Sequence, residues 1–296
     1  MLASCVRGAI SSRGTYRRAA LFLFMLTLAL LFFFVLLPPP ARAVTLVSGT
    51  ISQNTTWTTA GSPYVLTGGV DVNSGVTLTI QQGVVVKPQY NTTTLYIAGV
   101  LNATGAVFTS FKDDSYGGDT NGDGNATSPA PGDWASIYFG GTGGGGSLSG
   151  CTLRYGGGNY FPAELYIGGG SPTITGSAIS SSSSSGIYVS GNSPSITNNT
   201  VSGNQGSWGI YSSTTLAALS GNSIIDNSNA TAVYLPATLG QGTVYNNTCS
   251  GNKLNGMFLY GSVTQNTTWT TAGSPYVLAG GVDVNSGVTL TIQQGV

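Results

Sequence analysis

Residues 191–204 read GNSPSITNNTVSGN, and residues 221–235 read GNSIIDNSNATAVYL. In both stretches single apolar residues alternate with small polar residues, and Asn or Gly follows each short apolar segment. Alternation with a period of two is typical of β-strands, and Asn and Gly are typical of the turns between strands. The two stretches therefore predict very short strands separated by tight turns.

The same arrangement repeats in coils of about 22 to 24 residues, each with three short strands. The coils begin near Ser147, Ser171, Ser193, Thr215 and Leu239. The aligned apolar residues are Ile174, Ile196, Leu219 and Val244 in the first strand, Leu153, Ile179, Val201, Ile224 and Cys249 in the second, and Leu165, Ile187, Ile210, Val233 and Met257 in the third. A coil of three strands cannot bury its own apolar face, so neighbouring coils must stack. The predicted fold class is all-β, a solenoid of parallel strands whose opening coils lie between residues 70 and 111.

Polar residues recur at two of the turns. They are Ser177, Asn199, Asn222 and Asn247 after the first strand, and Asn204, Asn227 and Asn252 after the second. Stacked Asn side chains can hydrogen-bond along a solenoid and satisfy the backbone groups of the turns. These stretches resemble the right-handed parallel β-helix repeats of the pectin-lyase-like superfamily, and the resemblance covers residues 48–262. It implies a right-handed parallel β-helix but not one activity, because the superfamily includes lyases, hydrolases, epimerases and adhesins.

A segment of 32 residues occurs twice. Residues 53–84 and 265–296 differ only where Thr67 becomes Ala279, and the two copies are 212 positions apart. Near-identity of this kind indicates duplication of a larger unit. We expect residues 44–262 to form one β-helix module with a loop insertion at 111–134, and residues 263–296 to begin a second, truncated copy.

The N-terminal residues 1–43 are predicted to be an export signal. Four arginines precede an apolar run from Ala19 to Leu37, and the small-residue sequence Ala41-Arg42-Ala43 follows it. The run also approaches the length of a membrane anchor, so cleavage and retention both remain open. Either outcome predicts a secreted or cell-surface protein. Residues 44–296 carry four basic and nine acidic residues, a net charge of −5, which disfavours nucleic-acid partners and anionic membrane surfaces.

An aromatic residue follows the inward apolar residue of the third strand in every coil. The row comprises Tyr138, Tyr166, Tyr188, Tyr211, Tyr234 and Phe258, with Tyr96 as an extension. Side chains alternate along a strand, so the row is predicted to face outward. Such a row could stack against the sugar rings of a polysaccharide, or it could be a ladder of rings that shields the sheet without any ligand.

The loop at residues 111–134 holds five of the nine acids that follow the signal. Asp119, Asn121 and Asp123, followed by Gly124, match the D-x-N-x-D-G core of a calcium loop, in which alternating oxygens surround one ion. The usual acid at the twelfth position is replaced by Ala130. Completing the shell therefore requires one of the other acids, Asp113, Asp114 or Asp133. The alternative is a solvated acidic loop, and a bound Ca²⁺ is expected to fix the loop rather than to serve catalysis.

This chain offers few side chains that could act as catalytic acids, bases or metal ligands. There is no His, which removes His-based acid, base and metal chemistry. The resemblance implies that a lyase would combine acidic calcium ligands with an Arg or Lys base on one face, whereas Arg154 and Lys253 look like isolated surface charges. We therefore predict a structural, adhesive or polysaccharide-binding module without catalysis. A polysaccharide lyase or related carbohydrate-active enzyme is the alternative. A crystal-binding or ice-binding surface, suggested only by Thr77-Leu78-Thr79 and by the threonines at 92–94, is a third class.

Overall fold

The computed structural model describes residues 24–25, 44–141, 143–239, 243–273 and 275–296. The predicted export signal lies outside these residues, apart from Phe24 and Met25. Within the described ranges, no helix is both long and apolar enough to cross a bilayer. Nearly all regular structure is β-strand, with two short 3₁₀ turns at Thr59–Gly61 and Thr271–Gly273.

The strands of the first half of the chain are β1 (Thr45–Ile51), β2 (Thr55–Trp57), β3 (Tyr64–Val72), β4 (Thr77–Ile80), β5 (Val85–Pro88), β6 (Thr94–Ile97), β7 (Val100–Thr104), β8 (Val107–Phe108), β9 (Ser136–Phe139), β10 (Gly145–Ser149), β11 (Thr152–Arg154) and β12 (Ala163–Ile167). Those of the second half are β13 (Thr173–Thr175), β14 (Ala178–Ser180), β15 (Ser185–Val189), β16 (Ser195–Thr197), β17 (Thr200–Ser202), β18 (Trp208–Ser212), β19 (Ala218–Ser220), β20 (Ser223–Ile225), β21 (Thr231–Pro236), β22 (Val244–Tyr245), β23 (Thr248–Ser250), β24 (Leu254–Val263), β25 (Thr267–Trp269), β26 (Tyr276–Val284) and β27 (Leu290–Ile292).

The strands stack in parallel, and the predicted all-β solenoid, a right-handed parallel β-helix, is confirmed. The first strands of successive coils form an eight-stranded sheet, β2-β4-β7-β10-β13-β16-β19-β22. The second and third strands form two further rows that belong to one 17-stranded sheet. These rows are joined through β3, whose beginning pairs with β5 and whose end pairs with β6.

The predicted coil alignment is confirmed residue by residue. Leu153 pairs with Ile179 and Ile179 with Val201, while Leu165 pairs with Ile187. The inward residues of all three rows meet in one apolar core, in which most side chains are fully buried. Each coil therefore covers the apolar face of its neighbour, as the period of the sequence requires. This register also places four coil steps between Cys151 and Cys249, both of which are free thiols.

Two ladders of Asn side chains run through the turns of the later coils. Asn199 Nδ2 donates to Asn222 Oδ1 at 3.0 Å, and Asn222 Nδ2 donates to Asn247 Oδ1 at 2.8 Å. In the second ladder, Asn204 Nδ2 donates to Asn227 Oδ1 at 3.0 Å, and the same oxygen accepts the Asn204 backbone N–H. The ladders satisfy turn groups that would otherwise be buried without partners.

The second copy of the repeat continues the solenoid. β24 pairs with β21 on one edge and with β26 on the other. The residue pairs between β24 and β26 repeat those between β1 and β3 at an offset of 212 positions. Thr45↔Tyr64 corresponds to Met257↔Tyr276, Val47↔Leu66 to Leu259↔Leu278, and Gly49↔Val70 to Gly261↔Val282. Both registers shift before the Gly, and the two glycines have φ of +80° and +75°, a left-handed conformation that Gly adopts without strain. The strand that ends one copy therefore has the role of β1 for the next.

Candidate functional site

The aromatic row lies on the third strands, where the sequence predicted it. Its tyrosines are in register on the third strands of successive coils: Tyr96, Tyr138, Tyr166, Tyr188, Tyr211 and Tyr234. Their backbone neighbours on either side point into the core, so the rings stand on the outer face of the sheet and are partly exposed.

The rings of this row contact one another along the outer face of the sheet. Tyr138 stacks on Tyr166, and Tyr188 stacks on Tyr211, each with ring centroids 4.4 Å apart. Edge-to-face contacts at 5.2 to 5.7 Å join these pairs to their neighbours. Partial burial raises the pKa of Tyr211 to about 12, helped by the adjacent hydroxyl of Tyr260. Much of the ring-face area that a sugar would need is covered by neighbouring rings.

The end of the row differs from the expectation. Phe258 is in register with Tyr234, but its side chain is only 9% exposed and does not continue the stack. Tyr260, two residues later, stacks on Tyr234 at 4.7 Å and donates a hydrogen bond from its hydroxyl to the Ser212 carbonyl at 3.2 Å. We name the row Tyr96, Tyr138, Tyr166, Tyr188, Tyr211, Tyr234 and Tyr260 the tyrosine ladder.

The loop at residues 111–134 folds over the outer side of β5. Lys87, whose neighbour Val86 points into the core, is fully buried beneath this loop. Its ammonium group donates to the Gly118 carbonyl at 2.9 Å and to Thr120 Oγ1 at 2.6 Å. Burial lowers the pKa of Lys87, and the carboxylates of the loop oppose that shift. A buried cation therefore fastens the acidic loop to the solenoid.

Three of the predicted metal ligands come together in this loop. The carboxylate oxygens of Asp114, Asp119 and Asp123 lie within 4.8 Å of one another. Because calcium–oxygen distances are about 2.4 Å, oxygens with this spacing can all contact one ion. One oxygen each of Asp114 and Asp123 is shielded from solvent and accepts no hydrogen bond from the described residues. Burial, and then the charge of Asp119, raise the pKa of Asp114.

The backbone of the loop matches the sequence motif. Asp119 Oδ1 accepts the Gly122 N–H at 2.8 Å, and Asp119 Oδ2 accepts the Gly124 N–H at 2.8 Å. Gly124 has φ of +68°, as the sharp turn after the third ligand position requires. Asn121 donates through its amide nitrogen to Asp123 and Thr127, and its amide oxygen accepts the Asp123 N–H at 3.4 Å. The arrangement fits a single Ca²⁺ with Asp114 as the additional acid.

The other two predicted ligands have different partners. Asp113 is buried and accepts hydrogen bonds from the hydroxyls of Thr109 and Ser115. Asp133 forms an ion pair with Lys112 at 2.8 Å and accepts a hydrogen bond from Ser110 at 2.6 Å. Of the three acids that could complete the shell, only Asp114 belongs to the cluster.

Arg154 is not an isolated surface charge. Its Nε lies 3.9 Å from Asp113 Oδ2, and its guanidinium group lies over the Tyr155 ring at 4.5 Å. Lys112, Asp113, Asp114 and Arg154 line an open cavity of about 330 Å³. Acids and a basic residue thus converge on one face, beside the calcium-loop cluster.

Several residues of this region were missed by sequence reasoning. Glu164 is fully buried, and its Oε1 accepts the Gly156 N–H at 3.0 Å while Oε2 has no partner among the described residues. Burial raises the pKa of Glu164 well above its ordinary value. In sequence Glu164 precedes Leu165 in a strand of alternating pattern, which predicts an exposed acid. Lys87 likewise gives no local signal, because a loop some 30 residues later covers it.

Comparison with known proteins is consistent with this architecture. The family model described as the right handed beta helix region matches residues 133–292, more than half of the chain. No curated protein and no solved structure matches the chain. The matched range covers the aligned coils and extends into the second copy of the repeat. The chain belongs to the right-handed β-helix family.

Proposed function

We propose that this protein is exported and that its β-helix acts as a rigid structural and adhesive element, without catalysis in the described coils. The observation that carries the proposal is the continuation of the solenoid across the repeat, in which β24 belongs to both copies. A strand shared between copies leaves no flexible linker, so tandem copies extend one stiff body.

The tyrosine ladder supports the structural part of this role. Rings that stack on one another at 4.4 Å favour a shield over a row of sugar platforms. Each stacked pair contributes about 0.5 to 1.5 kcal/mol beyond its area burial. The two interpretations of the row predict different consequences when rings are removed.

Replacing Tyr188 and Tyr211 together by Ala tests this assignment. We expect a loss of about 2 to 4 kcal/mol in the free energy of unfolding, because two large partly buried side chains and their stacking are removed. Urea denaturation measures the loss, and Tyr245→Ala is the matched control, since Tyr245 is exposed on another sheet and stacks on no ring. Unchanged stability together with lost polysaccharide binding would instead assign the row to sugar recognition.

A calcium ion held by Asp114, Asp119 and Asp123 is part of the proposal. Three carboxylates close together repel one another, and a divalent cation removes that repulsion. The ion would hold the loop at residues 111–134 in its present conformation over β5. The support is the convergence of these oxygens together with the backbone bonds to Asp119.

A polysaccharide lyase is the second candidate function, and one observation favours it. Arg154, Asp113 and Asp114 line one cavity next to the proposed calcium ion. Incubating the protein with uronate polysaccharides in millimolar calcium and recording unsaturated sugar tests this candidate. Release that is lost in Arg154→Ala, with folding retained, would establish it. No release from any uronate polymer would leave the structural and adhesive role.

A further inference from the structure

A second open cavity, of about 380 Å³, shares Lys112 with the cavity beside the acidic cluster. Gln89, Tyr90 and Asn91 form one wall, and the Lys112–Asp133 ion pair forms the other. These residues belong to two connections between second and third strands, the turn after β5 and the loop at residues 111–134, which the stacking of the coils brings together. The volume lies within the range of small-ligand sites.

The aromatic residue of this cavity differs from those of the tyrosine ladder. Tyr90 is 52% exposed, and no other ring of the described chain stacks on it. The side-chain amides of Gln89 and Asn91 make no hydrogen bond with a described residue. One free aromatic face thus lies beside two unpaired amide groups. Tyr presents a large apolar face at a low cost in conformational entropy, and amides donate and accept hydrogen bonds.

A second exposed tyrosine lies on a neighbouring turn. Tyr160 is fully exposed, and it follows Asn159 with both residues in the left-handed conformation, at φ of 63° and 49°. Asn adopts this conformation readily, whereas it is uncommon for Tyr. The turn packs tightly on the cavity wall, since a Cβ at Gly158 would lie 2.9 Å from the Asn91 carbonyl oxygen. The turn that carries the exposed Tyr160 therefore lies beside the turn that carries Tyr90.

We propose that this cavity binds a neutral sugar residue of a polysaccharide, with Tyr90 as the stacking platform. Gln89 and Asn91 hydrogen-bond its hydroxyls, Lys112 contributes its remaining donors, and Tyr160 contacts the next sugar of the chain. A neutral ligand fits because the ammonium and carboxylate groups of Lys112 and Asp133 already neutralise each other at 2.8 Å. The inference rests on the adhesive part of the proposed function and assigns it to a site away from the ladder.

The test uses the full chain, made in a host that does not glycosylate, on an array of neutral and acidic plant and microbial oligosaccharides. We expect binding to a neutral oligosaccharide that weakens about tenfold or more in Tyr90→Ala, because an aromatic anchor in a pocket carries a large share of the binding free energy. Asn91→Ala should weaken binding as well. Tyr245→Ala, which removes an exposed tyrosine from the first sheet, should leave affinity within about twofold. Circular dichroism and urea midpoints confirm that each variant is folded.

The possible results distinguish failure of this cavity as the sugar site from failure of the proposed adhesive role. Binding that survives both Tyr90→Ala and Asn91→Ala would overturn this site while leaving an adhesive role. Binding lost only in the Tyr188 and Tyr211 double variant would return sugar recognition to the ladder. No binding of the unaltered protein to any oligosaccharide of the array would overturn both the site and the adhesive part of the proposed function.

Discussion

At the scale of single residues, the buried carboxyl group of Glu164 makes the free energy of unfolding depend on pH. The carboxyl group has one hydrogen bond, from the Gly156 N–H, and no contact with water. Burial disfavours its charged form, so its pKa is raised, and the native state binds this proton more tightly than the unfolded chain does. Because the native state binds more protons, the stability contribution of Glu164 is greatest at low pH and is lost as pH rises through its raised pKa.

Glu164→Gln is therefore expected to stabilise the protein at pH 7 and to change little at pH 3 to 4. The gain at neutral pH is about 1.4 kcal/mol for each unit by which the pKa of Glu164 is raised. Urea unfolding at both pH values measures the difference. Asp226→Asn, at an exposed acid of a later turn, is the control. Equal effects of Glu164→Gln at the two pH values would contradict the assignment of a buried, protonated acid.

The calcium proposal is also decided by single carboxylates. Asp119→Asn keeps an oxygen and the shape of the side chain but removes one charge from the cluster, so calcium affinity should fall by about tenfold or more. Isothermal titration with CaCl₂ after treatment with a chelator measures the affinity. Affinity should also fall as pH drops through the raised pKa of Asp114, since protons then compete with the ion.

Asp133→Asn is the control for the calcium site, because Asp133 is paired with Lys112 and lies outside the cluster. It should change calcium affinity by less than the Asp119 variant does. Equal losses of calcium affinity in the two variants would mean that the ion is held elsewhere. If addition of CaCl₂ to the unaltered protein gave no heat of binding, this site would be excluded.

At the scale of elements, the Asn ladders supply hydrogen-bond partners to buried polar groups of the turns, which apolar side chains cannot do. Asn227 Oδ1 accepts both N–H groups of Asn204, and Asn227 Nδ2 donates to the Val201 carbonyl at 3.0 Å. Asn227→Ala leaves at least two buried polar groups without partners. The expected loss in the free energy of unfolding is about 2 to 4 kcal/mol.

Asn229→Ala in the same coil is the matched control. Asn229 is exposed, so its replacement should change stability by about 0.5 kcal/mol or less. Urea midpoints of the two variants give the comparison directly. Similar small effects at both positions would show that the ladder contributes little and that the strands alone hold the coils in register.

The elements also show which features a sequence can predict. The alignment of Ile179 with Val201 follows from a short, local pattern that repeats with the coil, so the register is readable in advance. The replacement of Phe258 by Tyr260 in the ladder is not readable, because β24 is longer than the earlier third strands and carries a second aromatic residue two positions after Phe258. The choice of Asp114 over Asp113 was open, since adjacent residues point apart and only the folded loop decides which faces the cluster.

At the scale of the whole molecule, the central claim is that the two copies form one solenoid without a linker. The 212-residue offset predicts a second copy, but it does not predict that residues 257–263 belong to both. That arrangement requires β24 to pair with β21 and β26 at once, with the same irregularity before Gly261 as before Gly49. The acidic cluster and the cavity beside Tyr90 then lie on one stiff body, at turns positioned by stacked coils.

Hydrogen–deuterium exchange of the full chain, followed at peptide resolution, tests this claim most directly. A continuous solenoid covers β24 on both edges, so the amides of residues 254–263 should exchange as slowly as those of residues 231–236 in β21. β1 is paired along only one edge among the described residues and should exchange faster. Exchange of residues 254–263 as fast as that of residues 45–51 would contradict the account, because the second copy would then not be stacked on the first.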